Sequence, residues 1–119
     1  MSLDAYVRMC LHMVMDAALR ALADQTRRQI LALVWREERP AGEIAAHFSL
    51  TRPAISQHLT VLLESKLVSV RQEGTRRLYQ ANREAIARLR AELGAFWDDR
   101  IAHLKVAAEK AEKNMRRRR

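Results

Sequence analysis

The chain has 119 residues, 49% apolar and only 5% aromatic, and its 22 lysines and arginines against 14 acidic residues give a formal charge of +8. This length suits a single domain with an aliphatic helical core, the basic excess points to a polyanion such as nucleic acid, and the lone Cys10 excludes an intramolecular disulfide framework and fits a reducing compartment. No apolar run approaches the roughly 18 residues of a membrane span, and Arg8, His12 and Asp16 interrupt any secretory-type leader, so a soluble cytoplasmic protein without a membrane partner is expected.

Residues 1–14 are apolar and methionine-rich and run without a breaker into Met15-Asp-Ala-Ala-Leu-Arg-Ala-Leu-Ala. Leu11, Met15, Ala18 and Leu22 share a stripe, which predicts one helix from about Leu3 to Ala23, with residues 1–14 an extension continuing into it. So apolar a helix needs cover, from the core or from a second subunit. Asp24 is a good cap for the next helix, whose apolar side is Ile30, Leu31, Val34 and Trp35. The charged Arg36-Glu-Glu-Arg segment ends it, and Pro40 marks a boundary. Ala41–Phe48 reads as a short helix with Ile44 and Phe48 inward, slightly weakened by Gly42.

A very tight link, Ser49-Leu50, leads into Thr51-Arg-Pro-Ala-Ile-Ser-Gln-His-Leu-Thr-Val-Leu-Leu-Glu-Ser-Lys. Thr51 offers a capping oxygen, and proline is tolerated in the first turn. At about 100° per residue, Ile55, Leu59 and Leu62 form one narrow stripe, and Pro53, Ser56, Gln57, Thr60 and Glu64 face the other way with Arg52 beside them. Such a face suits the major groove of DNA, where Arg reads guanine, Gln reads adenine and Ser or Thr serves either. Taken alone, it is equally an ordinary amphipathic helix with a solvated face; its neighbours decide. Two short helices joined by about three residues form a helix-turn-helix.

After Lys66, Leu67-Val-Ser-Val-Arg and Arg77-Leu-Tyr-Gln-Ala are short and β-favouring, separated by Gln72-Glu-Gly-Thr. They predict a two-stranded β-hairpin wing whose Arg71, Arg76 and Arg77 reach phosphates or a narrow minor groove. From Arg83 onward, Ile86, Leu89, Leu93, Trp97, Ile101, Leu104 and Ala108 recur every three or four residues. So long an apolar stripe is suited to pairing with a symmetry mate. The predicted dimer seam comprises Leu11, Met15, Leu89, Leu93, Trp97, Ile101 and Leu104. The expected organisation is an extension over 1–14, a winged helix-turn-helix over 15–82, a dimerisation helix over 83–113 and a frayed, disordered basic tail over 114–119. The fold class is mainly α with a β-hairpin wing, homodimeric through its terminal helices.

In that order of elements, Ala21-Leu-Ala-Asp-Gln-Thr-Arg-Arg-Gln-Ile-Leu resembles the opening signature of the ArsR/SmtB family of bacterial repressors. Thr51-Arg-Pro-Ala-Ile-Ser-Gln-His-Leu-Thr-Val-Leu resembles its recognition helix, and Leu67-Val, the glycine-containing wing and Tyr79 are similar to the hairpin that follows. The likeness covers about Ala18 to Ala81 and is specific in combination, each piece alone being modest. Phe96-Trp97-Asp98-Asp99-Arg100 resembles a subgroup without metal ligands. The resemblance implies a homodimeric repressor on an operator with inverted half-sites, with Thr51, Arg52, Pro53, Ser56 and Gln57 reading the groove. His58 lies about 60° from the core stripe, which favours packing or a phosphate-side position over base reading.

Metal-sensing relatives are similar in a cysteine pair before the recognition helix, where this chain has Ala41-Gly-Glu-Ile-Ala-Ala-His-Phe, or in Asp-x-His and His-x-x-Glu on the last helix. Asp98, Asp99 and His103 complete neither motif, and zinc takes about four ligands. Cys10 and His12 splay on a helix, so Met13, Met15 and Cys10 read as packing residues. No cofactor is expected. Ser56 and His58 diverge on their helix and no carboxylate orients the imidazole, while Gly42, Gly74 and Gly94 are isolated, which argues against an enzyme. The alternatives are a repressor that senses metal or Cys10 oxidation, and a winged-helix interaction module that does not bind DNA. The sequence names neither the operator nor an inducer.

Overall fold

The computed structural model describes residues 2–118, apart from the side chains of Leu11 and His12. The chain divides into two compact units, Met1–Ile86 and Ala87–Arg119. The first begins with α1 (Leu3–Leu22), capped by Ser2, whose hydroxyl accepts from the Ala5 amide. Asp4 in its first turn and Arg20 in its last suit the helix dipole. In α2 (Gln25–Leu33), the Asp24 carboxylate accepts from the Arg27 amide at 2.9 Å, the cap the sequence predicted. The carbonyls that end α1 would otherwise lack partners. Arg27 Nε donates to the Ala21 oxygen at 2.7 Å and its Nη2 to the Arg20 oxygen at 3.1 Å, and Arg28 Nη1 donates to the Leu22 oxygen at 2.7 Å. Two arginines at the head of one helix therefore close the end of the helix before it.

The next elements are β1 (Arg39–Pro40), α3 (Ala41–Ala46) and α4 (Arg52–Glu64). The Thr51 hydroxyl accepts from the Ala54 amide at 3.3 Å and Pro53 occupies the first turn of α4, as expected. The other end closes around Lys66, which takes a left-handed φ of 66°. The Lys66 amide donates to the Leu63 oxygen and the Leu67 amide to the Leu62 oxygen, the two bonds of a Schellman motif with lysine where glycine is usual. The Ser65 hydroxyl, buried at this corner, donates to the Leu62 oxygen.

β2 (Val68–Glu73) and β3 (Arg76–Ala81) pair from Val68↔Ala81 to Glu73↔Arg76. Gly74, with φ 62°, holds the first position of the two-residue turn, where II′-type hairpins place glycine. The predicted hairpin is present, but the sheet has a third strand. β1 pairs with the far side of β3 through Arg39↔Tyr79 and Pro40↔Leu78, giving the order β1-β3-β2. A two-residue strand is too short to show alternation, and proline, without an amide hydrogen, is at home on such an edge. Pro40 is thus both the end of a strand and the residue preceding α3.

Ile30, Val34, Ile44, Ile55, Leu59, Leu62 and Leu67 are fully or almost fully buried and, with Val68, Leu78, Tyr79 and Ala81, form the core. The base of the wing is tied down by the Ala81 amide donating to the Val34 oxygen at 2.9 Å and the Asn82 amide donating to the Leu67 oxygen at 2.8 Å. Trp35, predicted inward, is exposed, because α2 ends at Leu33 and the backbone at Val34 leaves helical geometry, so the helical phase no longer applies. Phe48 lies beyond α3 and is only half-buried.

The last helix, α5 (Arg83–Arg117), starts at Asn82, whose side-chain oxygen accepts from the Ala85 amide. Leu89, assigned to the dimer seam, is already buried in the single chain, whereas Phe96, Trp97, Ile101, Leu104 and Val106 are exposed. The fraying expected from Asn114 is not found: the helix continues to Arg117, with Arg116 Nη2 donating to Glu112 Oε1 at 2.8 Å. Basic side chains in a last turn face the negative end of the dipole, which favours them there. Among the described residues no helix is long and apolar enough to cross a membrane.

Two stability outcomes are expected. The backbone hydrogen bond from Arg27 holds the Asp24 carboxyl below its ordinary range, aided by the charge of Arg27. A depressed carboxyl contributes stability above its unfolded-state value and loses it as pH falls through the folded one. Asp24→Asn, which keeps a capping oxygen, should melt below the parent near neutrality, and the two should converge in acid. Asp24→Ala should lose about 1 kcal/mol more broadly through the missing cap. At Lys66, Lys66→Gly removes left-handed strain of about 1–2 kcal/mol at a backbone-entropy cost of about 0.5–1 kcal/mol, so denaturant titration should show a gain of roughly 0.5–1 kcal/mol.

Candidate nucleic-acid interface

α4 buries Ile55, Leu59 and Leu62, which turns Thr51, Arg52, Pro53, Ser56, Gln57 and Thr60 to solvent together. All six residues proposed for groove contact therefore share one exposed face at and beyond the positively polarised end of the helix. Thr60 Oγ1 donates to the Ser56 oxygen at 2.9 Å, so its hydroxyl hydrogen is engaged and its lone pairs are free. Arg52 sits over α3: a Cβ placed on Gly42 would come within 3.0 Å of Arg52 Nη1. Gly42, read from sequence only as a weak point in a short helix, leaves room for the guanidinium of the next helix.

His58 does not join the groove-facing set. It is half-buried, with Nδ1 at 3.5 Å from Arg27 Nη1 and 3.9 Å from Asp24 Oδ2. Arg27 can donate to that nitrogen, so His58 bridges α4 to the head of α2. Arg27 thereby touches the end of α1, the start of α2 and the middle of α4, a role no local spacing indicates.

The wing packs beside α4 through β2. Arg76 and Arg77 are exposed and have no carboxylate partner among the described residues, and the Arg77 guanidinium lies 5.8 Å from the centroid of the Tyr79 ring. Arg71 differs from them. Its Nη2 and Nε both bond Glu38, and Nη2 also reaches Glu73 Oε2 at 3.2 Å. Hydrogen bonds from Arg71 hold the Glu38 carboxyl below its ordinary range and the same pairing raises Arg71. Glu38 was invisible in the sequence as a site residue, because the order β1-β3-β2 alone brings it to a partner so far along the chain.

Of the proposed dimer residues, Met15 and Leu93 are half-buried, Trp97, Ile101 and Leu104 are exposed, and the side chain of Leu11 lies outside the described residues. The Phe96 and Trp97 rings meet edge-on with centroids 6.0 Å apart, and Arg100 lies 5.2 Å from the Phe96 centroid. Asp98, Asp99 and His103 are exposed on this helix and Cys10 is half-buried on α1. Among the described residues no three His, Cys, Asp or Glu side chains gather as a metal site.

Residues 24–70 match the bacterial regulatory protein, arsR family. An HTH-type transcriptional regulator of Mycobacterium tuberculosis is 45% identical over 82 residues, covering 69% of this chain and 77% of that protein. The transcriptional repressor SdpR of Bacillus subtilis is 37% identical over 68 residues, covering 57% of this chain and 76% of its own. Among solved structures, the homodimeric winged helix-turn-helix DNA-binding domain of a possible ArsR-family regulator from Mycobacterium bovis superposes with a TM-score of 0.64 at 32% identity, over 81% of this chain and 89% of that one. With a capped recognition helix, a wing beside it and relatives that are regulators and not enzymes, this chain belongs to the arsR family of DNA-binding bacterial transcriptional regulators.

Proposed function

We propose that the chain is a cytoplasmic repressor that binds an operator of inverted half-sites as a homodimer and needs no metal. The observation that carries this reading is the exposed α4 face, where Thr51, Arg52, Pro53, Ser56, Gln57 and Thr60 are held outward by the burial of Ile55, Leu59 and Leu62. Arg52 and Gln57 read bases, Thr51, Ser56 and Thr60 supply shorter polar contacts, and Arg76 and Arg77 take phosphates from the wing. Arg71 serves first as the brace between wing and β1 and reaches DNA only by leaving Glu38. Repression is supported by the likeness to SdpR and pairing by the homodimeric Mycobacterium bovis domain. The uncovered Trp97, Ile101 and Leu104 on α5, with Leu93 on the same helix, supply the seam, and Met15 on α1 adds to the pairing surface.

The operator is first obtained by selecting bound fragments from genomic DNA, and fluorescence anisotropy then separates the two basic surfaces. Arg52→Ala or Gln57→Ala should lower the operator-to-random specificity ratio about five-fold or more, since a good bidentate base contact gives about 1–3 kcal/mol of discrimination. Replacing Arg76 and Arg77 by Ala should weaken both DNAs alike and flatten log affinity against log salt by up to about 0.9 per lost phosphate contact. The reverse pattern would remove α4 from the groove. Affinity should be equal in chelator and in micromolar zinc; a shift of about ten-fold, roughly 1.4 kcal/mol of coupling, would make the protein a metal sensor.

The seam is tested separately. Trp97→Asp with Ile101→Asp places charges where their desolvation is costly, and light scattering should then report monomers. A folded dimer in the double variant would move the interface elsewhere.

A further inference from the structure

Where α2 ends, the surface opens into a cleft of about 620 Å³ with Leu31, Leu33 and Trp35 on its apolar side and Arg28, Arg36 and Glu37 around it. The volume lies within the range of small-molecule sites, about 300–1,000 Å³. Trp35 is 36% exposed, and its indole offers a flat surface for stacking. Among the described residues neither Arg28 nor Arg36 has a carboxylate partner, and Arg36 makes no side-chain hydrogen bond. Guanidinium groups match carboxylates in shape as well as charge. Glu37 disfavours a second negative charge on whatever enters.

We propose that this cleft binds a small aromatic monocarboxylate, its ring on Trp35 and its charge toward the arginines, and that filling it weakens operator binding. The second half rests on the DNA-binding reading above. The route runs through Arg39, which also lines the cleft. Arg39 Nε donates to the Leu33 oxygen at 2.8 Å and Nη1 to Glu43 Oε1 at 2.5 Å, which ties the end of α2 to α3. Arg39 is also a β1 residue, paired with Tyr79 of the wing sheet, and its neighbour Glu38 holds Arg71. An anion in the cleft competes with Glu43 for Arg39. Releasing that bond unfastens α3, the helix packed on α4, and disturbs the strand that braces the wing. By linkage, operator DNA lowers affinity for the carboxylate by the same factor.

The full ¹⁵N-labelled chain has two tryptophan indole signals, assigned with Trp35→Phe. The probes are 1-naphthoate, its neutral analogue 1-naphthalenemethanol, acetate and inorganic phosphate. Naphthoate should move the Trp35 signal saturably and leave that of Trp97 in place. The other three should bind about ten-fold more weakly or worse, and Arg36→Gln should weaken naphthoate about five-fold or more. An unmoved Trp35 signal, as a second copy covering the cleft would produce, overturns the site. So does equal binding of the alcohol, or an Arg36→Gln chain that binds naphthoate as well as the parent. Saturating naphthoate should also lower operator affinity by about five-fold in the parent, and less in Arg36→Gln at the same concentration. Naphthoate binding without that change overturns the regulatory half alone. Failure to bind any DNA, with the indole shift intact, refutes the DNA-binding reading and leaves the site standing.

Discussion

The rotational phase of α4 is set by Ile55, Leu59 and Leu62, which are sealed from solvent with Ile30, Val34 and Ile44. A helix turns about 100° per residue, so fixing these positions fixes where every other side chain on it points. Apolar burial is non-directional and exacts no chemistry from the outward face. That face is therefore available for recognition, and changes of Ser56 or Gln57 leave the packing untouched. The cap at Thr51 and the reversal at Lys66 then fix where the helix starts and stops.

Arginine in this chain does two kinds of work. Arg27, Arg28 and Arg39 spend their donors on backbone oxygens at the ends of α1 and α2. Arg71 spends its own on Glu38 and Glu73. A guanidinium carries five donors in a fixed fork, which lets one side chain close a helix end and still touch a neighbouring element. The formal charge of +8 thus overstates what is free to meet a polyanion. Arg76 and Arg77, on the wing, have no carboxylate partner among the described residues.

Much of this was legible from local chemistry. The Asp24 and Thr51 caps, the α4 stripe, the glycine of the hairpin and the start of the last helix each depend on residues within one or two turns of one another, so spacing revealed them. What escaped depends on distant pairing. β1 has only Arg39 and Pro40 and acquires its identity from Leu78 and Tyr79. Glu38 matters only because the sheet order carries it to Arg71, and Gly42 only because α4 lays Arg52 across it. Trp35 misled because helical periodicity was extended past the end of α2. The burial of Leu89 within the single chain was hidden as well, because a long stripe does not tell which of its members are already covered.

The Glu38–Arg71–Glu73 cluster makes one part of the wing an ion exchanger. A bare guanidinium that meets a phosphate sets a condensed cation free from the DNA, and such releases make affinity fall with salt. Arg71 is already neutralised by carboxylates. If it turns to a phosphate, it leaves Glu38 uncovered, and that carboxylate gathers a cation from solution. One cation leaves the DNA and another joins the protein, so such a contact would be nearly indifferent to salt, unlike those proposed for Arg76 and Arg77. Protons act on it as well: as pH falls through the depressed Glu38 carboxyl, Glu38 takes up a proton and lets go of Arg71.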